Sequence, residues 1–254
     1  MRRTVQSALL LLTGAGLLHC ALFTTLYLRY VKEGLRPLLV ASGAVLIVLG
    51  VVNLVLELRG WSSDGHDHAD HDHGDHGHDH SRAPKVAWLL ALPALSLLIY
   101  APPALGAYTA SHASTKSAPP VKRTRFEPLP VSTAPVPLTL TGFTNRVRQD
   151  PARSLRGRAV QLTGFVTPGG ADGGWYLTRI IFTCCAADAQ TVKLRMYGAE
   201  SPPADTWLSV TGTWHPAGIL GTKSAAAALD VHETHPVAQP INAYTDDLPL
   251  TVGS

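Results

Sequence analysis

Val5 to Leu28 is apolar apart from small or weakly polar residues, with Arg2 and Arg3 before it and Arg29 after it. A run of about 20 such residues is long enough to cross a bilayer as a helix, which satisfies its own backbone hydrogen bonds there. Leu38 to Leu56 repeats the pattern between Arg36-Pro37 and the pair Glu57 and Arg59. Val86 to Tyr108 is a third such run; Pro93 would kink it, and Pro102-Pro103 would end the regular helix near Tyr100. A cleavable signal peptide is the competing reading of the first run. That run is longer than a usual signal core, however, and two more follow it. The pattern predicts about three membrane spans within residues 1–108 and a multi-pass protein of the cell membrane.

A very different segment separates the second run from the third. From Asp64 to His80 every residue but four is Asp or His. Such a tract cannot pack a core and is costly to bury, so a solvated loop over 64–80 is expected. Neutral imidazoles suit zinc, copper and nickel, and interleaved carboxylates can complete a coordination shell. The candidate ligands are His66, His68, His71, His73, His76, His78 and His80, with Asp67, Asp70, Asp72, Asp75 and Asp79. Glycines at 65, 74 and 77 deny the loop the fixed ligand spacing of a structural zinc site. Collecting or sensing a divalent metal ion beside a membrane is the expected role, and an acidic linker is the plain alternative.

With three spans, this loop shares a side with the amino terminus, and the carboxy-terminal part lies on the other. Arg2, Arg3, Arg59, Arg82 and Lys85 fall on the loop side; Arg29, Lys32, Arg36, Lys116, Lys122, Arg123 and Arg125 fall opposite. That tally runs against a cytoplasmic loop under the positive-inside rule. The Arg2-Arg3 start and the Ala/Pro/Ser/Thr-rich stretch after the third run favour an external carboxy-terminal domain. His19 and Asn53 are the main polar residues within the spans, and helix-to-helix hydrogen bonding is their expected use.

Residues 109–137 read as a semi-extended linker, and 138–254 as a soluble β-rich domain. Apolar residues alternate in Ala159 to Thr167, Thr191 to Tyr197 and Trp207 to Trp214. Gly169 to Gly174 makes a turn into the extended run Trp175 to Phe182, and Ala226 to Val231 supplies a fifth strand. Gly164 and Gly212 fall inside strands, where bends and bulges place them. Five short strands suggest a small OB-like barrel. A short helix is expected over Asn145 to Leu155, interrupted by Pro151. The net charge of +3 comes with no basic stripe interleaved with aromatics, so nucleic acid is not an expected partner.

Cysteines stand at 20, 184 and 185, too few for a disulfide framework. Cys184, Cys185 and Asp188, joined by His215, His232 or His235, could hold a soft or borderline metal. Adjacent side chains on a strand point to opposite faces, so sharing one ion requires the strand to end or bulge at the pair. One cysteine buried in the barrel and one at its rim is the alternative.

The apolar spans, the polar loop, Gly164-Phe165-Val166, Thr183-Cys184-Cys185-Ala186-Ala187-Asp188 and Trp207-Leu208-Ser209-Val210-Thr211-Gly212 resemble the YcgQ-like family of permease subunits. The double cysteine followed by Ala-Ala-Asp is the most specific part of the match. The resemblance implies a bacterial membrane protein that works beside a separate many-helix permease, with no enzymatic activity established for the family. Zinc is argued from the residues of the 64–80 loop and not from the family.

These readings converge on a non-enzymatic accessory subunit of a membrane permease complex, linked to divalent-metal transport or sensing. No cofactor is required, and zinc or another divalent transition metal is the expected ligand. A membrane-anchored thiol or copper-handling protein using Cys184 and Cys185 is the alternative. No Gly-x-Ser-x-Gly elbow, phosphate loop or His-Glu-x-x-His helix supports hydrolysis.

Overall fold

The computed structural model describes residues 2–59, 105–112, 126–169 and 174–248. The 64–80 loop and most of the third apolar run lie outside the described residues. The chain divides into two compact units: residues 1–24 with 37–103, and residues 25–36 with 104–254.

In the first unit, α1 (Arg2–Phe23) and α2 (Arg36–Leu58) take up the first two apolar runs. Their apolar windows have mean hydropathies of 1.6 and 2.6, and only 17% and 11% of those windows is buried. Core helices of soluble proteins bury far more, so length, composition and outward-facing Leu12, Leu38, Val45 and Val48 make both helices candidates to cross a membrane. The helices pair antiparallel through glycine. A Cβ on Gly14 would meet the Gly43 carbonyl oxygen at 2.9 Å, and one on Gly50 would meet Leu11 Cγ at 2.8 Å. Small residues permit this backbone approach, on which helix pairing in lipid relies. Thr4 donates to Glu57 at 2.5 Å where the start of α1 meets the end of α2.

The expected first span to Leu28 is too long by several residues. Helix α1 stops at Phe23, and Leu26–Arg29 is a 3-10 turn that belongs to the second unit, with Tyr27 buried. A second short turn, Glu33–Leu35, completes the connector to α2. Tyr30 and Val31 both donate to the Tyr27 carbonyl, at 2.9 and 2.8 Å, which ends the helical path and frees the chain to pair elsewhere.

The second unit is built on a six-stranded sheet: β1 (Val136–Pro137), β2 (Val160–Pro168), β3 (Trp175–Ile181), β4 (Gln190–Tyr197), β5 (Trp207–Trp214) and β6 (Ala228–Pro236). Five were expected from the sequence; β1 is too short to show a period and pairs parallel to β2. The order is β1-β2-β3-β4-β6-β5, and β5 also pairs antiparallel with β2 from Phe165↔Trp207 to Val160↔Gly212. Strand β6 runs parallel to β4 and antiparallel to β5, with a register shift at Thr211/Gly212. A Cβ at Gly212 would lie 2.2 Å from the Asp230 carbonyl oxygen, so the bulge needs glycine there.

The predicted helix over 145–155 forms earlier, as α4 (Leu140–Gln149), preceded along the chain by α3 (Ala107–His112). Thr139 caps α4 by accepting the Gly142 N–H at 2.9 Å, and Leu140, Phe143 and Val147 share its buried face. Asp150 precedes Pro151 and is held extended, which stops the helix. The α4 face joins Leu162, Leu177, Leu194, Val210 and Leu229 in the main core. Buried Trp175 satisfies its indole N–H on the Ala199 carbonyl at 3.1 Å.

A smaller core forms on the outer side of β2 and β3. Ala107 and Ala110 of α3 pack with Phe165, Ile180, Phe182, Ala243 and Tyr244. The expected end of the membrane region at residue 108 therefore falls inside a helix that packs on the β domain. The ring of Phe182 stacks on that of Tyr244 at 4.6 Å, and the Tyr244 hydroxyl donates to the Leu105 carbonyl at 2.9 Å.

Candidate functional site

The double cysteine sits where β3 has ended. Phe182 donates its N–H to the Tyr244 carbonyl at 3.0 Å instead of to β4, and Thr183, Cys184 and Cys185 turn into a 3-10 segment, Ala186–Asp188. Because the strand has stopped, the two side chains escape the strand alternation. Their Sγ atoms lie 3.7 Å apart. Cys184 is exposed and Cys185 half-buried, so the alternative of one cysteine in the core and one at the rim does not hold.

Asp188 sets this geometry from below. Its Oδ1 accepts the N–H of Thr183 at 2.9 Å and of Cys185 at 3.3 Å, and its Oδ2 accepts the N–H of Cys184 at 2.7 Å. Asp188, one of the expected metal ligands, accepts three successive amides with its carboxylate. The Cys184 thiol and these amides hold its pKa below the usual carboxylate range, against a smaller effect of burial. The same carboxylate, with the Cys185 thiol, pushes the Cys184 thiol up to about 11.

The other face of the turn is bonded to the connector between α1 and α2. Val31 and Cys185 form an antiparallel bridge. Lys32 donates its N–H to the Cys184 carbonyl at 3.0 Å, and Ala186 donates to the Tyr30 carbonyl at 2.7 Å. The thiol-bearing turn thus carries Tyr30–Lys32 as a one-bridge strand. Nothing in the sequence signalled this contact: the connector has no alternation, and its partner lies far along the chain.

The histidines considered as further ligands for the cysteines are elsewhere. His215 Nδ1 lies 2.7 Å from Asp230 Oδ1, and its ring stacks on Tyr197 at 4.0 Å. Tyr197 ends β4, whereas the cysteines precede its first residue, Gln190. At about 3.3 Å per residue, the length of β4 puts roughly 23 Å between the two ends. His232 and His235 lie further along β6, past the residues paired with the end of β4. There His232 Nε2 is 3.4 Å from Thr213 Oγ1, and His235 Nε2 is 2.9 Å from Glu233 Oε1. Among the described residues no group of three or more His, Cys, Asp or Glu side chains could hold a metal ion. The pair offers two sulfurs and no third protein ligand within that set.

Arg179 of β3 supports the turn from inside. It is 3% exposed, donates from Nη2 to the carbonyls of Asn242 at 3.2 Å and Thr245 at 2.6 Å, and lies over the Trp207 ring at 5.2 Å. Burial lowers its pKa to about 10 against the raising effect of Asp246 and Asp247, so the guanidinium stays charged. The segment it grips includes Tyr244, which receives the Phe182 N–H just before the cysteines.

Comparison with known families matches residues 8–116 to the DUF1980 N-terminal domain and residues 145–245 to the DUF1980 C-terminal domain. The second match contains the cysteine turn, and the first contains the connector. No curated protein and no solved structure matches the chain.

Proposed function

From a chain that carries both DUF1980 domains, those of the YcgQ-like family, we propose a non-enzymatic accessory subunit of a membrane permease complex, concerned with a divalent metal such as zinc. The observation that carries this reading is the bonding of the β domain to the connector between two apolar helices. A soluble domain so attached acts at the membrane surface. A few thin helices cannot enclose a substrate path, so a many-helix permease supplies it, docking on the outward apolar faces of α1 and α2. Because connector and domain share one side, a spanning α2 requires the chain to recross before Leu105, which supports a third span in the 86–108 run. The 64–80 loop then collects or senses metal on the far side, and the β domain stands outside the cytoplasm. The OB-like reading of that domain draws support from the pairing of β5 back onto β2.

The test is gentle solubilisation of the tagged protein in detergent, followed by mass spectrometry of what stays bound. A many-helix membrane protein recovered in fixed proportion is the expected result. Recovery of the chain alone overturns the permease reading. A second reading, a membrane-anchored thiol or copper-handling protein, is favoured by the 3.7 Å approach of the exposed Cys184 and half-buried Cys185 sulfurs.

A further inference from the structure

We propose that Cys184 and Cys185 form a two-sulfur site for a thiophilic monovalent cation, and that filling it clamps the turn onto the Tyr30–Lys32 connector. The inference rests on the thiol reading above and is independent of the permease partner.

The ligand class follows from the donor set. Zinc in a protein site takes about four donors, commonly with imidazole or carboxylate beside thiolate. Here Asp188 is occupied by the amides of residues 183, 184 and 185, and His215, His232 and His235 are far along the sheet. Two sulfurs alone suit a soft ion such as Cu(I), which accepts low coordination and selects thiolate over oxygen. On binding, each thiol releases one proton, both sulfurs bond the cation, and no electron is transferred.

The coupling follows from the backbone. The sulfurs lie 3.7 Å apart only because the chain has left the strand path at Phe182. In that same conformation the Cys184 carbonyl accepts the Lys32 N–H and the Ala186 N–H reaches the Tyr30 carbonyl. A cation held by both sulfurs excludes conformations that separate them, including the backbone rearrangements of the turn that would release the two bonds to the connector. Occupation therefore favours the docked connector, and by reciprocity the docked connector favours occupation.

The experiment uses the full chain in detergent, reduced and anaerobic, with every histidine of 64–80 replaced by Gln so that the loop cannot supply copper. Cu(I) is added, the copper retained per chain is measured, and hydrogen exchange is followed in peptides covering 27–36 and 183–189. One copper per chain with a several-fold slowing of exchange in both peptides is expected. Cys184→Ser and Cys185→Ser, both conservative at an accessible turn, should each abolish the two effects. Copper retained by the serine variants, or equal retention of Zn(II), overturns the site. Copper retained by the pair with unchanged connector exchange overturns the clamp. A chain that purifies without a permease but shows copper-dependent protection loses the accessory-subunit reading and keeps this one.

Discussion

Asp188 accepts the backbone N–H of Cys184 at 2.7 Å while its carboxylate, by hydrogen bonding to the Cys184 thiol and by its charge, opposes ionisation of that thiol. One carboxylate therefore shapes the turn and restrains the chemistry of the group it presents. Asp188→Ala leaves three amides without their acceptor and removes the nearby negative charge. The melting temperature should fall, and alkylation of Cys184 at pH 8 should become faster as its pKa drops toward the ordinary thiol range. Unchanged alkylation in a folded variant would show that the carboxylate does not control the thiol.

Arg179 is buried and holds two carbonyls of the 242–245 segment. Arg179→Met keeps much of the apolar stem but removes charged hydrogen bonds worth about 1.5–3 kcal/mol. Denaturant unfolding of the detergent-solubilised protein should register a loss of that size. Hydrogen exchange at Phe182, whose N–H reaches Tyr244, should rise at the same time.

Gly43 lies where α2 meets α1; a Cβ there would be 2.9 Å from Leu18 Cγ and 3.2 Å from the Gly14 carbonyl oxygen. Gly43→Val should separate the helices at a cost of about 1–3 kcal/mol. Cross-linking yield between cysteines placed at Thr4 and Glu57 reports it, because those side chains touch in the native pair. Gly16, with open space around it, is the control and should tolerate the same change.

Asp150 provides a pH dependence with a definite sign. Burial raises its pKa, but the Ser154 hydroxyl and amide, the Ala152 amide and Arg146 outweigh burial and hold it below the ordinary value of 3.8. A carboxyl depressed on folding contributes stability that is complete above the unfolded pKa and is lost as pH falls through the folded one. The effect is therefore confined to acid below about pH 4. Asp150→Asn should lower stability at pH 7 and flatten the acid limb of a stability-versus-pH curve, while leaving the slope between pH 6 and 8 unchanged.

Zinc uptake by the 64–80 loop should fall below about pH 6.5 as imidazoles protonate. Replacing His66, His68, His71, His73, His76, His78 and His80 by Gln should abolish it. Equilibrium dialysis with zinc on the full chain measures both effects, and uptake that survives the replacement removes the loop from metal handling.

The parts legible in the residues were those with a local cause. Hydrophobic runs bounded by arginines marked α1 and α2 because in an apolar medium only a helix pairs its backbone within one segment. Period-two alternation marked β2, β4 and β5, and the turn Gly169 to Gly174 marked the start of the extended run that became β3. Gly212 marked a bulge because a side chain there would collide with the Asp230 carbonyl. The start of α4 was missed because its cap, Thr139, precedes the stretch whose pattern looked helical, and the end of α1 was missed because hydropathy does not register a turn made of apolar residues.

What only the tertiary structure decided is who meets whom. Cys184 and Cys185 meet each other but not His215, His232 or His235, which lie at or past the far end of β4. Asp188 gathers the amides of residues 183, 184 and 185, and Val31 bridges Cys185 across most of the chain. Contacts of that kind arise from strand order and the place where β3 lets go of β4. Sequence determined which residues could carry the chemistry through their side-chain types and local periods; the fold decided their neighbours, because distance in space is set by long-range pairing that leaves no local period to read.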